Sequence, residues 1–276
     1  MIKNKLTNKQ RYWKPSAPEW ATCLNLLNDK VEVDRIQSFK RPTNNGFLVG
    51  PNNDSAKASL AGRLLMLLVT HRLTGLDLKS IRFERLSNGK PYLVNKIEHT
   101  YLFNVSHDGD YTVIYAVYDC PESLSIGVDT MKSEIPRSQN PNEFFESMKS
   151  CFTNREWLSI RDSKQSSDVQ TNRFFRHWCL KESFVKAIGV GIELDLQSCE
   201  FIINEQDNQV KINIFDDKYF DSYTHFVLLP NLLPNHIVAL CHYEEIPIDN
   251  QKPNVNHQYE IETLTAQQLI DELTTK

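Results

Sequence analysis

The sequence predicts an α+β protein of two halves, each an antiparallel sheet packed with helices. Helical and extended patterns run as helix then strands, and then the same again. Between the two runs, Met131 to Pro141 is polar and carries two prolines, Pro136 and Pro141, which marks a boundary. With 276 residues and 40% hydrophobic content, the chain can fill two modest cores. We therefore expect an N-terminal lobe over residues 1–124, a C-terminal lobe over 125–246 and a C-terminal tail over 247–276.

In the first half, Leu60, Leu64, Leu67, Leu68 and His71 fall at helical spacing behind Asp54 or Ser55 as N-cap. That spacing predicts a long amphipathic helix from Asp54 to Leu73. Ile81 to Arg85 alternates apolar and polar residues, Asn88 and Gly89 signal a turn, and Pro91 to Val94 is extended again, so a hairpin is expected. Tyr101–Val105, Tyr111–Tyr118 and Ser123–Asp129 are rich in β-branched and aromatic residues and predict a meander.

The second half begins its helices at Thr153, whose spacing to Glu156 forms a capping box. Asn172 to Ile188 is the next helix, with Gly189 as C-cap, and the Ser/Gln/Asp-rich stretch 162–171 before it predicts a mobile loop. Strands are expected near Glu200–Ile203, Val210–Phe215, His225–Leu229 and His236–Tyr243. Pro247 to His257 reads as a linker, and Thr265 to Gln268 caps a short helix through Leu273.

Charge and composition exclude several classes. Against 31 Lys and Arg stand 35 Asp and Glu, so neither nucleic acid nor a membrane surface is expected as a general partner, and any basic site must be local. Six scattered cysteines without a C-x-x-C pair indicate reduced thiols and a cytoplasmic protein. Met1 to Lys14 lacks the apolar core of a secretory signal, and the apolar run Ser59–Leu73 is broken by Arg63 and too short to span a bilayer. Nothing in the pattern demands a dimer, so a monomer is expected.

The densest chemical cluster is Trp178 through Gly189. On a helix Glu182 and Lys186 share a face one turn apart, an arrangement that also describes an ordinary surface ion pair. Asp129 ends the run Ser125-Ile126-Gly127-Val128, where it is either a solvated turn residue or a partner for Glu182 in holding Mg²⁺ through two carboxylates. Gly127 would then admit a ligand close to the backbone. His107, at the end of Asn104-Val105-Ser106-His107, and Arg85 and Lys90, flanking the Asn88-Gly89 turn, are candidates for gripping phosphate as well as ordinary surface residues.

Together these blocks resemble the 4′-phosphopantetheinyl transferases of the large, two-lobed type, and within them the animal branch associated with L-aminoadipate-semialdehyde dehydrogenase. The resemblance runs from about Val33 to Glu245. It is carried by Asn104–His107, Gly127-Val128-Asp129, Phe152–Trp157 and Trp178–Gly191, supported by Arg35–Phe39 with Lys57–Arg63 and by Gly89-Lys90-Pro91. It implies two similar lobes related by a pseudo-twofold axis, with coenzyme A as co-substrate in the cleft between them.

The same resemblance implies Asp129 and Glu182 as Mg²⁺ ligands and Glu182 and Lys186 as catalytic. Arg35, Arg85, Lys90, Asn104, Ser106, His107, Asp129 and Lys186 are implied as the coenzyme A site. Met131 stands where many bacterial relatives carry a second acid, and a thioether is a poor magnesium ligand, so one more water is expected there. Pro42 to Asn53 reads as an insertion.

The implied reaction moves phosphopantetheine to a serine of apo acyl or peptidyl carrier protein domains, of the fatty acid synthase or aminoadipate-semialdehyde dehydrogenase type. It releases 3′,5′-ADP. Lys149–Arg155 and the loop to Arg173 form a candidate docking surface for the acidic carrier. A metal-dependent nucleotide phosphohydrolase, or a protein that only binds coenzyme A or a carrier, would use some of the same residues.

Overall fold

The computed structural model describes residues 5–9, 13–43, 46–136, 138–215, 222–245 and 260–275. The chain forms two compact units, Met1–Pro121 with Asn256–Lys276, and Glu122–Val255. The second unit therefore starts at Glu122, ahead of the polar stretch, because the strand before that stretch already belongs to it. The expected linker Pro247–His257 lies outside the described residues.

In the first unit β1 (Lys5–Lys9) precedes α1 (Ala17–Asn25) and α2 (Lys30–Ser38). A small hairpin, β2 (Arg41–Thr43) and β3 (Gly46–Leu48), occupies the insertion. The long helix α3 (Asp54–Thr74) follows, capped by Asn53, whose side chain accepts from the Ser55 and Ala56 amides, one residue earlier than the sequence suggests. Gly75, with φ of 73°, closes it in the left-handed conformation. β4 (Phe83–Arg85) and β5 (Pro91–Leu93) form the expected hairpin, and β6 (Tyr101–Asp108) pairs antiparallel with β7 (Tyr111–Tyr118).

The second unit opens with β8 (Leu124–Lys132), then α4 (Pro141–Ser147), α5 (Asn154–Ile160) and α6 (Ser167–Ile188). The expected meander breaks here: β8 does not pair with β7 but enters a sheet of order β11-β12-β8. Alternation in a strand determines its faces and leaves its partner open. The helix α6 begins five residues before the expected Asn172, because Ser166 caps it by accepting from Val169. Half of the predicted loop, residues 167–171, is therefore helical. The hairpin of β9 (Cys199–Ile203) and β10 (Val210–Ile214) leads to β11 (Ser222–Leu233) and β12 (His236–Glu245).

The chain then returns to the first unit. β13 (Ile261–Leu264) pairs parallel with β1, completing a sheet of order β13-β1-β7-β6, and α7 (Ala266–Thr274) carries the expected Thr265–Gln268 capping box. Residues 260–275 are thus part of that core, not a free tail: Leu264, Leu269, Ile270 and Leu273 join Leu60, Leu64, Leu68 and Ile114 in one cluster. Being covered by the sheet on one side and by α1 and α7 on others, α3 is buried from Ala56 to Thr70 at nearly every position, more than an amphipathic stripe requires. A second cluster, around Phe152, Phe174, Phe184, Phe201 and Ile237, fills the other unit. Each unit thus sets one long helix against antiparallel strands, with the β1–β13 pair the parallel exception. All six cysteines are free thiols, and no helix among the described residues is long and apolar enough to cross a membrane.

Candidate functional site

In the second unit the site is built where α6 crosses β8. Gly127, Asp129 and Met131 alternate onto one face of the strand. A β-carbon on Gly127 would fall 2.0 Å from the Ser183 carbonyl oxygen and 2.6 Å from the Ala187 nitrogen, so only glycine lets the helix backbone lie this close. The close neighbour that the sequence assigned to a ligand is α6 itself. Two residues further on, Asp129 is buried, and Lys186 Nζ donates to its Oδ1 at 2.6 Å. The ammonium named in the sequence as a partner for Glu182 thus reaches across to the strand.

Glu182, half-buried one turn before Lys186, has its carboxyl pushed above the usual range. Burial is the main cause and the Asp129 charge adds to it, while Lys186 opposes. The Cys179 thiol beneath is held well above its ordinary value by burial and then by Asp129. Two carboxylates and one ammonium therefore share one electrostatic environment on one helix–strand contact.

Lys181, inside the same motif, has a different task. It is fully buried, paired with Glu156 at 3.0 Å, and donates to the Leu196 and Cys199 carbonyls at 2.6 and 2.7 Å. Glu156 in turn accepts from the Phe201 and Thr153 amides. This saturated ion pair ties α6 to α5 and β9 and holds the face that carries Glu182 and Lys186.

The first unit gathers charge around Glu32 of α2, which is 8% exposed. Its carboxylate accepts from Arg35 Nε and Nη2 at 3.0 and 2.9 Å, from Arg63 Nε at 2.9 Å, and from Arg85 Nε at 3.1 Å. Burial alone would raise Glu32, yet the Arg85 hydrogen bond, the Arg63 charge and the Arg35 pair outweigh it and hold its pKa down at about 2. Arg35 and Arg85 are brought together, and what joins them is Glu32, which the sequence did not single out, with Arg63, which it marked only as a break in an apolar run and the end of a supporting block.

Arg85 Nη1 also donates to the Gly89 carbonyl at 2.8 Å, fixing the turn that carries Lys90. On β6, Asn104 and Ser106 are buried on one face, while His107 is exposed on the face that also carries Phe103 and Val105. The strand therefore parts His107 from the other two.

For a metal, the donor set is informative. No group of three or more His, Cys, Asp or Glu gathers among the described residues. What β8 and α6 offer is a pair of carboxylates, all-oxygen donors of the kind magnesium takes beside water and phosphate oxygens, and a poor set for zinc. Met131, at the position of a second acid, packs instead against the core of its unit.

Family models match both units: residues 11–119 match the N-terminal region of 4′-phosphopantetheinyl transferase, and residues 125–241 match the 4′-phosphopantetheinyl transferase superfamily. The L-aminoadipate-semialdehyde dehydrogenase-phosphopantetheinyl transferase of Xenopus laevis is 35% identical over 252 residues, covering 88% of this chain and 77% of that protein. The chain belongs to the 4′-phosphopantetheinyl transferase superfamily. The rat protein of the same name is 39% identical over 195 residues, 70% of this chain and 58% of its own length. The chain thus aligns with less than two thirds of that mammalian relative. The 4′-phosphopantetheinyl transferase Sfp of Bacillus subtilis is 32% identical over 165 residues, 60% of this chain and 66% of that one. Among solved structures, Thermotoga maritima holo-[acyl-carrier-protein] synthase matches 44% of this chain and 64% of its own, at 21% identity and a TM-score of 0.34. The gap between the two transferase models, residues 120–124, contains the division between the units at Pro121 and Glu122.

Proposed function

We propose that this transferase moves the 4′-phosphopantetheine arm of coenzyme A onto a serine of an apo acyl or peptidyl carrier protein, with Asp129, Glu182 and Lys186 as its reacting centre. Arg35, Arg85, Lys90, Asn104, Ser106 and His107 belong to the coenzyme A site in this reading. The observation that carries it is the contact of Lys186 with Asp129 at 2.6 Å beside a Glu182 whose carboxyl is raised by burial and by that same aspartate.

In the reaction, the serine oxygen forms a bond to the β-phosphorus of coenzyme A. The bond from that phosphorus to the bridging oxygen of the pyrophosphate breaks, and 3′,5′-ADP leaves with its electron pair. The serine proton needs an acceptor, and Glu182 is suited to take it, since a carboxylate lifted above its usual range is a stronger base. Lys186 presents its charge to the phosphate once a ligand competes with Asp129 for it, and so steadies the transferring group. Asp129 and Glu182 are the residues that would hold magnesium, which when bound offsets negative charge on the pyrophosphate.

The carrier partner follows from charge. Of the basic docking stretch, Lys149 and Arg155 keep 74% and 66% of their side chains exposed. Arg173 is 15% exposed and faces Asp162 and Glu205, so it leaves the proposed surface. Acidic carriers of the fatty acid synthase or aminoadipate-semialdehyde dehydrogenase type suit what remains, and the free thiols suit a protein working in the reducing cytoplasm.

Intact-protein mass spectrometry of an apo carrier protein with this protein, coenzyme A and Mg²⁺ tests the reading. A gain of one phosphopantetheine, lost in Asp129→Ala and Glu182→Ala, is the expected result. Release of 3′,5′-ADP without labelling would replace it with a phosphohydrolase, and coenzyme A binding without either product would replace it with a binding protein.

A further inference from the structure

Three guanidinium groups converge on a single carboxylate in the first unit, and the geometry explains what that carboxylate is for. Arg35 and Arg85 each keep 38% of the side chain exposed, while Arg63 and Glu32 are at 8% and 10%. The buried pair forms the base of the cluster and the two exposed arginines form its rim. Arg63 comes from the middle of α3, whose position is determined by the core, so the Arg63–Glu32 contacts at 2.7 and 2.9 Å tie the carboxylate to the buried long helix of the unit.

From that anchor, Glu32 accepts Nε and Nη2 of Arg35, and Arg35 Nη2 also donates to Ser59 Oγ at 2.7 Å. Arg85 is turned the same way by Nε and Nη2 and is held on its third nitrogen by the Gly89 carbonyl. Left to themselves, like-charged guanidiniums on two separate elements would splay apart. One acid among three bases keeps them together and still leaves an excess of two positive charges.

We infer that Glu32 is a positioning residue for coenzyme A binding: anchored by Arg63, it aims Arg35 and Arg85 together at a phosphate group of the ligand without touching the ligand itself. The inference rests on the reading of Arg35 and Arg85 as coenzyme A ligands. It has a sign that a purely electrostatic role would reverse. If Glu32 merely lowered the positive potential, neutralising it would tighten the binding of a phosphate ligand; if it positions the arginines, neutralising it weakens binding.

The test is calorimetric titration of the full chain with 3′,5′-ADP, together with steady-state kinetics for coenzyme A, on Glu32→Gln, Glu32→Asp, Arg35→Ala and Arg85→Ala. Circular dichroism identifies the variants that fold. Glu32→Asp keeps the charge but withdraws it by one methylene, so it decides the matter if Glu32→Gln does not fold. We expect both Glu32 variants to weaken 3′,5′-ADP and raise KM for coenzyme A by about ten- to a hundredfold, with kcat at saturation changed less than about threefold. Wild-type or tighter binding in the folded Glu32 variants, with binding lost in the two arginine variants, would overturn the positioning role and leave the ligand reading intact. Unchanged binding in the arginine variants would overturn both.

Discussion

Gly127 of β8 and Ser183 of α6 meet backbone to backbone, close enough that an added methyl group on Gly127 would lie 2.0 Å from the Ser183 carbonyl oxygen. No side chain can rotate away to relieve that overlap, so strand and helix must separate. Gly127→Ala should therefore cost about 3 kcal/mol, the upper end for overpacking, and should pull Lys186 away from Asp129. A scanning-calorimetry Tm well below wild type, with kcat reduced at least about tenfold, is expected. A Tm within a degree or so of wild type would mean that the helix does not depend on glycine for its approach.

Acid should weaken the two units in different pH windows. In the second, buried His177 is pushed down to about 4 by desolvation, and its Nδ1 donates to the Arg173 carbonyl at 2.8 Å. An unfolded histidine titrates near 6.5, so between 6.5 and 4 the unfolded chain takes up a proton that the folded chain refuses, and stability falls as pH falls. In the first unit, Glu32 is held down at about 2 against a usual 4.5. Its contribution is fully present above 4.5 and is lost as pH falls through about 2. Urea unfolding at a series of pH values checks this. His177→Phe should flatten the upper slope and leave the lower, and equal slopes in both proteins would contradict the assignment.

Asp129, Glu182 and Lys186 were legible because each sits in a short local motif: a strand ending in an acid, and one face of a helix. Their grouping in the folded chain follows from Gly127, whose role in packing the sequence could not distinguish from a role in ligand approach. Glu32 was missed and Arg63 was not placed at the site, although a signal was present. A lone arginine inside the apolar run Leu60–Val69 cannot be buried without an acid, and that acid had to come from elsewhere in the chain. Nor could periodicity show that β8 leaves β7 for β12, or that α7 would cover α3, since an apolar face records the need for a partner and not which one.

That last relationship is open to test. Arg72 of α3 donates to Glu262 at 2.8 Å and also pairs with Glu272, clasping the returning segment from both ends. Beneath the clasp, Leu269 is 1% exposed and Leu273 is 3% exposed. Leu269→Ala should cost about 2–5 kcal/mol, and Arg72→Met about 1 kcal/mol, because its two partly exposed ion pairs contribute little. Removing residues 260–276 should leave the first unit unable to fold, read as loss of coenzyme A binding and of part of the unfolding enthalpy. A truncated chain with wild-type binding would show that the segment is dispensable.

Lys186 offers a prediction that separates charge balance from catalysis. Its ammonium pairs with Asp129, a carboxylate only 5% exposed in its side chain, while Glu182 stands nearby with a raised carboxyl. Lys186→Met removes that ammonium from beside two acids, so the apoprotein should lose about 1–3 kcal/mol. Magnesium would then supply the missing charge, and adding it should raise Tm by more in Lys186→Met than in wild type. Because the rise needs the carboxylates, it should vanish in the double variant with Asp129→Asn. Turnover should nonetheless stay about a hundredfold or more below wild type at any Mg²⁺ concentration, since a metal that restores the fold does not replace a charge on the transferring phosphate. Equal Tm shifts in all three proteins would place magnesium somewhere other than Asp129, and full recovery of turnover would reduce Lys186 to a structural counter-ion.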